Sequence, residues 1–191
     1  MPKPKDEQKL AAIHLQTMRL VNTTGFAALK MADVAQAAGI ATGTLYVYYK
    51  SKEALINAVY LNTKLEIIDV LLDNAHANPD YFLTFKNMWT AYMQYCMQYP
   101  EKMLFVEQFI YSGLIAEEVI AQTEAKLIPL NQFLTYGQQK GLIKRMDIEL
   151  IKAQMQGAIT ETIKFLTKQQ QTLTAVQLND CFAMTWDALR R

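Results

Sequence analysis

The run from Lys30 to Leu55, KMADVAQAAGIATGTLYVYYKSKEAL, constrains the chain more than any other segment. Two short stretches with helical apolar spacing flank a single glycine, the pattern of two helices meeting at a sharp turn. In the first, Met31, Val34, Ala35 and Ala38 share one stripe, and Asp33 lies in the opening turn, where the helix dipole favours a carboxylate. Gly39 ends that helix because glycine takes up the left-handed conformation a short turn needs, and Ile40 follows as an apolar plug. The second helix starts at Thr42. Leu45 and Tyr49, four residues apart, fall toward Val34 and Ala38, whereas Thr44, Val47 and Tyr48 project the other way.

The outward face is the unusual one. Thr44 is able to reach a base edge or a phosphate, Val47 to touch a thymine methyl, and Tyr46 and Tyr48 to donate to phosphate oxygens, so this pair of helices reads as a DNA-binding helix-turn-helix. Ser51 is placed to cap the next helix. Lys52 then falls in its first turn, where a cation is disfavoured by roughly 0.3–1 kcal/mol unless an anion is near. A DNA phosphate would be that anion.

The run GFAALKMADVAQAAGIATGTLYVYYKSKEAL resembles the DNA-binding signature of the TetR family of bacterial transcriptional regulators, in its Gly-Thr-Leu-Tyr-x-Tyr-aromatic core followed by Ser-Lys-Glu. The likeness covers about residues 8–60 and is architectural beyond. It implies that Thr44 and Tyr46 contact bases or backbone, that Tyr48 and Lys52 hold phosphates, and that Gly43 lets the helix N-terminus approach the DNA backbone. Three positions depart from the family pattern. Leu29 and Lys30 stand where a hydroxyl is common, which passes a phosphate contact to the Lys30 ammonium. Ala41 replaces a frequent Ser cap and leaves Thr42 to cap, and Val47 replaces a frequent polar or imidazole reader.

Glycine and proline are scarce, at seven and five in 191 residues, and long stretches repeat apolar residues every three or four positions, so the expected fold is all-α. A first helix is expected from Asp6 to Thr23, with Leu10, Ile13, Thr17, Leu20 and Val21 on one face, and it completes a three-helix head over residues 1–50. Residues 51–191 form a helical effector-binding and dimerisation domain, in which 51–74 is a connecting helix long enough to act as a lever. Asn78-Pro79-Asp80 marks a turn. Further helices are expected over 80–98, 100–111, 115–140, 147–168 and 174–190, with Pro129 kinking or splitting the third of these and Gly141 closing it.

Charge is unevenly placed. Residues 1–60 carry seven Lys and Arg against four Asp and Glu, the remainder twelve against fourteen, so basic charge gathers in the reading head. Lys3, Lys5 and Lys9 form either an arm toward the DNA backbone or a frayed solvated tail. No apolar run approaches the roughly 20 residues that span a bilayer, and MPKPKDEQK has no apolar signal region, so a cytoplasmic protein without membrane contact is expected. Cys96 and Cys181 sit in apolar helical patterns and read as small buried hydrophobes, with a redox switch as the lesser alternative. His14 and His76 have no metal-ligand neighbours at useful spacing, and phosphate-loop and nucleophile-elbow patterns are absent. The reading is therefore a non-enzyme that needs no metal or cofactor.

Ile151, Met155, Ile159 and Leu166 on one late helix, and Leu178, Phe182, Trp186 and Leu189 on the last, form broad apolar surfaces. They are either internal core or, as the family resemblance favours, a four-helix interface between two copies, with Gly157 and Ala158 allowing close approach. The central aromatic and methionine-rich region is ordinary core residue by residue. As a group, Trp89, Tyr92, Met93, Phe105, Gln108, Phe109, Tyr111 and Met155 suit a pocket for a largely apolar or aromatic effector. The expected function is a homodimeric repressor released from a palindromic operator by a small molecule. Two alternatives remain: a DNA-binding protein of the same fold without such an effector, and a carrier or enzyme with a vestigial head.

Overall fold

The structure, a computed structural model, describes residues 4–75 and 80–191, with side chains from residue 6 onward. Lys3, the Lys5 side chain, His76 and the expected turn at Asn78 and Pro79 lie outside the described residues. Ten helices are present among those described: α1 Pro4–Ala28, α2 Met31–Ala37, α3 Thr42–Tyr48, α4 Lys52–Asp73, α5 Tyr81–Gln98, α6 Pro100–Phe109, α7 Glu117–Lys126, α8 Ile128–Gln139, α9 Ile148–Gln169 and α10 Ala175–Leu189. The all-α expectation is met; among the described residues the sole extended pairing is an isolated bridge between Ile143 and Arg190.

Helix ends follow local chemistry. α1 is interrupted at Gly25, whose φ of 79° and ψ of 162° are non-helical, so the regular helix breaks two residues past the expected end at Thr23. The expected 115–140 helix is two, α7 and α8. Pro129 in the first turn of α8 has no N–H to give and its ring would collide with a preceding turn, so the chain breaks at Leu127. Asp80 caps α5 by accepting from the Leu83 N–H at 2.8 Å, Asp147 caps α9, and Thr174 and Gln177 form a capping box at α10. Gly141 follows α8 at φ 69°, as a C-terminal stop requires.

Two compact units result, residues 1–64 with 101–120, and 65–100 with 121–191. In the first, Ile13, Thr17, Met18 and Val21 of α1 are buried with Val34 and Ala35 of α2, Leu45 of α3, and Leu55, Ile56 and Val59 of α4. The same unit takes in α6, with Met103, Phe105 and Phe109 buried, and the segment after it, where Asn57 of α4 accepts the Ala116 N–H at 2.7 Å.

The core of the second unit is aromatic. Trp89 packs on Phe182 at 5.6 Å between centroids, Phe85 on Trp186 at 5.4 Å, and Tyr81 stacks on Phe133 at 4.3 Å and 8°. A Cβ at Gly137 would collide with the Tyr81 ring and hydroxyl, which explains why α8 carries a glycine at a buried position. A part-buried polar chain joins α5 to α9. The Tyr92 hydroxyl donates to Gln156 Oε1 at 2.5 Å, and Gln156 Nε2 donates to Thr160 Oγ1 at 2.9 Å.

Candidate nucleic-acid interface

The turn between α2 and α3 closes as the sequence requires. Gly39 stands at φ 69°, its N–H bonds the Gln36 carbonyl at 3.1 Å, and the Ile40 N–H bonds the Ala35 carbonyl at 3.0 Å, a paired C-terminal cap that only a left-handed residue completes. α3 is then anchored by one side chain, Leu45, which is fully buried. On its outer side, Val47 is 72% exposed and Tyr46 45%, while Tyr48 is half-buried. Thr42 and Gly43 are exposed in the first turn, and Thr44 is half-buried. An isolated helix of seven residues is far too short to hold itself in water, so its order comes from Leu45 and the turn. The outward residues are thereby held on a rigid base without being needed for packing.

Thr42 does not cap α3. Ala41 holds the cap position in an extended conformation with no side-chain bond, and Thr42 is the first helical residue. Lys30 likewise occupies the cap position of α2, exposed and without a capping bond, so its ammonium stands at the surface near the start of the motif. Ser51 caps α4 as expected, its hydroxyl accepting the Ala54 N–H at 3.1 Å.

The C-terminal end of α3 is tied back to α1. Tyr48 donates to Asp6 Oδ1 at 3.1 Å, and Tyr49 pairs with His14 Nε2 at 2.8 Å. Desolvation and the Asp6 carboxylate raise the Tyr48 phenol above its ordinary value, burial raises Tyr49, and burial lowers His14, which favours the neutral imidazole. Lys52 is engaged as well: its Nζ donates to the Phe26 carbonyl at 3.1 Å and lies 4.2 Å from the Phe26 ring centroid. Two residues expected to hold phosphates therefore have internal partners in the free protein. Asp6 and His14 escaped sequence reasoning as partners because they lie 42 and 35 residues from the tyrosines they meet. No periodicity within the motif reports such contacts.

The eight expected effector residues are divided between the two units. Trp89, Tyr92 and Met93 are buried in the second, with Met155 half-buried on α9. Phe105 and Phe109 are core of the first unit, Gln108 is exposed and donates to Asn22 Oδ1 at 2.8 Å, and Tyr111 is 89% exposed. Trp89 and Met155 do meet, in a cleft of about 240 Å³ shared with Ala158, Thr162, Cys181 and Met184. The buried Trp89 Nε1 has no hydrogen-bond partner among the described residues. Cys96 is buried as expected, whereas Cys181 is only half-buried, and its thiol is raised by desolvation and by Asp180.

Of the expected interface residues, Ile151, Ile159, Leu166, Phe182 and Leu189 are enclosed by their own chain, and Met155, Leu178 and Trp186 are half-buried. An enclosed side chain has no surface to give a partner. The uncovered apolar side chains of these helices are others, Leu150 and Phe165 on α9 and Val176 and Met184 on α10, the last 73% exposed, with Gly157 and Ala158 open on α9. Among the described residues, no group of three or more His, Cys, Asp or Glu is placed to hold a metal, and no helix is long and apolar enough to cross a membrane.

A buttressed α2–turn–α3 pair, with a hydroxyl-rich, partly apolar face beside basic residues, defines a protein that binds DNA through a helix-turn-helix. Comparison with known proteins agrees. The profile "Bacterial regulatory proteins, tetR family" matches residues 14–59, and "Tetracyclin repressor-like, C-terminal domain" matches residues 81–190. The HTH-type transcriptional regulator EthR of Mycolicibacterium smegmatis is 35% identical over 78 residues, 41% of this chain and 32% of that protein, so the match spans about a third of the relative's length. The crystal structure of a TetR family transcription regulator from Marinobacter aquaeolei superposes with a TM-score of 0.90 at 28% identity, covering 97% of each chain. That of FadR from Bacillus subtilis in complex with stearoyl-CoA gives 0.73 at 18% identity, covering 93% of this chain and 98% of that one. The chain belongs to the tetR family of bacterial regulatory proteins, and it is a DNA-binding transcriptional regulator.

Proposed function

We propose that this regulator is a homodimeric repressor that leaves a palindromic operator when a small, largely apolar or aromatic effector binds. Residues 1–50 are the reading head and 51–191 the effector and dimerisation region. In this reading the protein works in the cytoplasm, carries out no catalysis, and uses Lys30, Thr42, Gly43, Thr44, Tyr46, Val47, Tyr48 and Lys52 on DNA. The observation that carries it is the presence, in one chain, of an exposed reading face on α3 and of uncovered apolar side chains on α9 and α10. One α3 covers too little DNA for a selective regulator. A two-fold pair with its α3 helices roughly 34–36 Å apart reads two successive major grooves.

The effector is assigned to the second unit, where the chain from Tyr92 through Gln156 to Thr160 offers oriented polar groups within an aromatic and methionine-rich core. The architecture accommodates a long apolar ligand in the Bacillus subtilis FadR structure with stearoyl-CoA. An effector that binds better to a state with another α3 spacing draws the population off DNA, by no more than that difference in affinity.

Fluorescence anisotropy of the full chain on DNA from upstream of its own gene, and on fragments selected from a random pool, tests the reading. Binding should saturate, weaken with salt, occur at two chains per operator, and disappear in Val47→Glu, whose added carboxylate faces the DNA. Stearoyl-CoA is the first effector probe. Absence of any selected sequence would overturn the repressor assignment, and one chain per operator would overturn the dimer.

A further inference from the structure

The cleft of about 240 Å³ lies wholly within the second unit, walled by α9, by α10 and by Trp89 of α5. Among the described residues that line it, none carries a charge. Desolvation, with Asp180 adding to it, raises the Cys181 thiol, so that group is neutral as well. The polar groups differ in what they have left to give. Thr162 Oγ1 donates to the Ala158 carbonyl at 2.7 Å and Thr185 Oγ1 to the Cys181 carbonyl at 3.2 Å, so each hydroxyl spends its one proton on its own helix. Tyr92 and Gln156, in the core beside the cleft, are bonded to each other. Trp89 differs. It is 3% exposed, and its indole N–H, a donor only, is closed to solvent and has no hydrogen-bond partner among the described residues. Met155, Cys181 and Met184 bring three sulfur atoms to the same cleft, and sulfur packs favourably on the edges of aromatic rings. A cavity of about 150 Å³ is enough for benzene, so this one has room for a ring and a small substituent.

We propose that this cleft is the effector site, and that its ligand is an uncharged, single-ring aromatic compound with one oxygen acceptor, an aryl ester or ketone, which takes the Trp89 indole N–H. The proposal rests on the effector reading above and names the donor that reading lacked. Absence of charge in the cleft selects a neutral ligand, the sulfur atoms select a ring, and the unused donor selects an acceptor. Met155 and Met184 are unbranched and yield most easily as the ring enters. The bound ligand then lies against both α9 and α10, the helices proposed to meet a second copy.

The chain has two tryptophans, so the proton–nitrogen correlation spectrum of the full protein carries two indole signals, and Trp186→Phe assigns them. Methyl benzoate and acetophenone are the probes, with toluene as the ring without an acceptor and benzoate as the charged analogue. Both oxygen-bearing neutral probes should saturate and move the Trp89 indole proton downfield. Toluene should bind about tenfold more weakly, and benzoate more weakly still. Trp89→Phe keeps a ring and removes the donor, so it should cost methyl benzoate about tenfold and toluene nothing. A Trp89 signal unmoved by either neutral probe at millimolar concentration would overturn the proposal, as would equal losses of methyl benzoate and toluene in Trp89→Phe. Val176 is 69% exposed on α10 and does not line the cleft, so Val176→Glu disturbs the proposed dimer face alone. A Trp89 proton that is downfield in the wild type and returns upfield in Val176→Glu would mean that a second copy fills the cleft, and would also overturn the proposal. Operator binding is followed on the same samples. Release of DNA by stearoyl-CoA with the Trp89 signal unmoved would keep the repressor reading and overturn the cleft as its effector site. Probe binding at Trp89 in a protein that selects no operator would support the cleft and overturn the repressor.

Discussion

Among the surfaces that leave large apolar side chains in water, two differ in kind. The α3 face mixes Val47 and Tyr46 with hydroxyls in a motif that carries Lys30, Lys50 and Lys52, whereas Phe165, Val176 and Met184 on α9 and α10 stand beside small residues, with Glu161, Lys168, Asp180 and Asp187 exposed one helical turn away. A groove in DNA asks for donors, acceptors and a methyl contact framed by cations. A second protein copy asks for area from which water is expelled, with charge kept to the edge. Exposure alone does not separate the two; the company kept by the exposed residues does.

The comparison is broken most severely from beneath. Leu45 is the one buried side chain of α3, so Leu45→Ala removes the anchor and leaves a cavity in a small core. A loss of about 2–5 kcal/mol in unfolding free energy is expected, with operator binding abolished. Denaturant titration followed by anisotropy checks both, and retained binding would mean that α3 is ordered by something other than Leu45.

Met184→Glu is the next largest. At 73% exposure the substitution leaves the folded chain intact, but it sets a charge in the middle of the proposed interface. Sedimentation velocity should show monomers, and operator affinity should fall more than tenfold with unchanged melting. A variant that stays dimeric would move the interface off α10.

Val47→Ala separates reading from folding more finely. It removes two exposed methyl groups, so stability should not change, while a lost thymine contact costs about 1 kcal/mol, or roughly fivefold in affinity, at one base position only. Equal losses on every sequence would show that Val47 reads nothing.

The reading head was legible because its information is local. Gly39, Ile40, Leu45 and Ser51 act within a few residues of one another, and each adopts the role its neighbours dictate. The α9–α10 region was less so. A helix that is apolar on more than one side announces burial without saying against what, and Phe182 and Trp186 turned out to be held by Phe82, Phe85 and Trp89 of their own chain. The effector group dispersed for a related reason: Phe105 and Phe109 share composition with Trp89 and Tyr92 but pack in a different unit, and composition carries no address. Lys52 shows the remaining gap. Its first-turn position foretold an electronegative partner, and that partner proved to be the Phe26 carbonyl and ring, 26 residues away in the chain.

Asp6 gives the smallest and most discriminating expectation. Its carboxylate accepts the Tyr48 hydroxyl, whose single proton cannot serve Asp6 and a phosphate equally well at once, and it adds a negative charge beside the face offered to DNA. Two unit charges a few ångströms apart in water repel by about 1 kcal/mol, and salt screens this over roughly 10 Å at 0.1 M. Asp6→Asn keeps an acceptor for Tyr48 while removing the charge, so DNA affinity should rise about two- to fivefold at low salt, and the gain should fade as salt increases. Asp6→Ala also releases Tyr48, so it should keep part of its gain at high salt, and Tyr48→Phe in that background should remove that part. Unchanged affinity in Asp6→Asn at low salt would place Tyr48 and Asp6 away from the DNA backbone, and the reading face would then narrow to Thr44, Tyr46 and Val47.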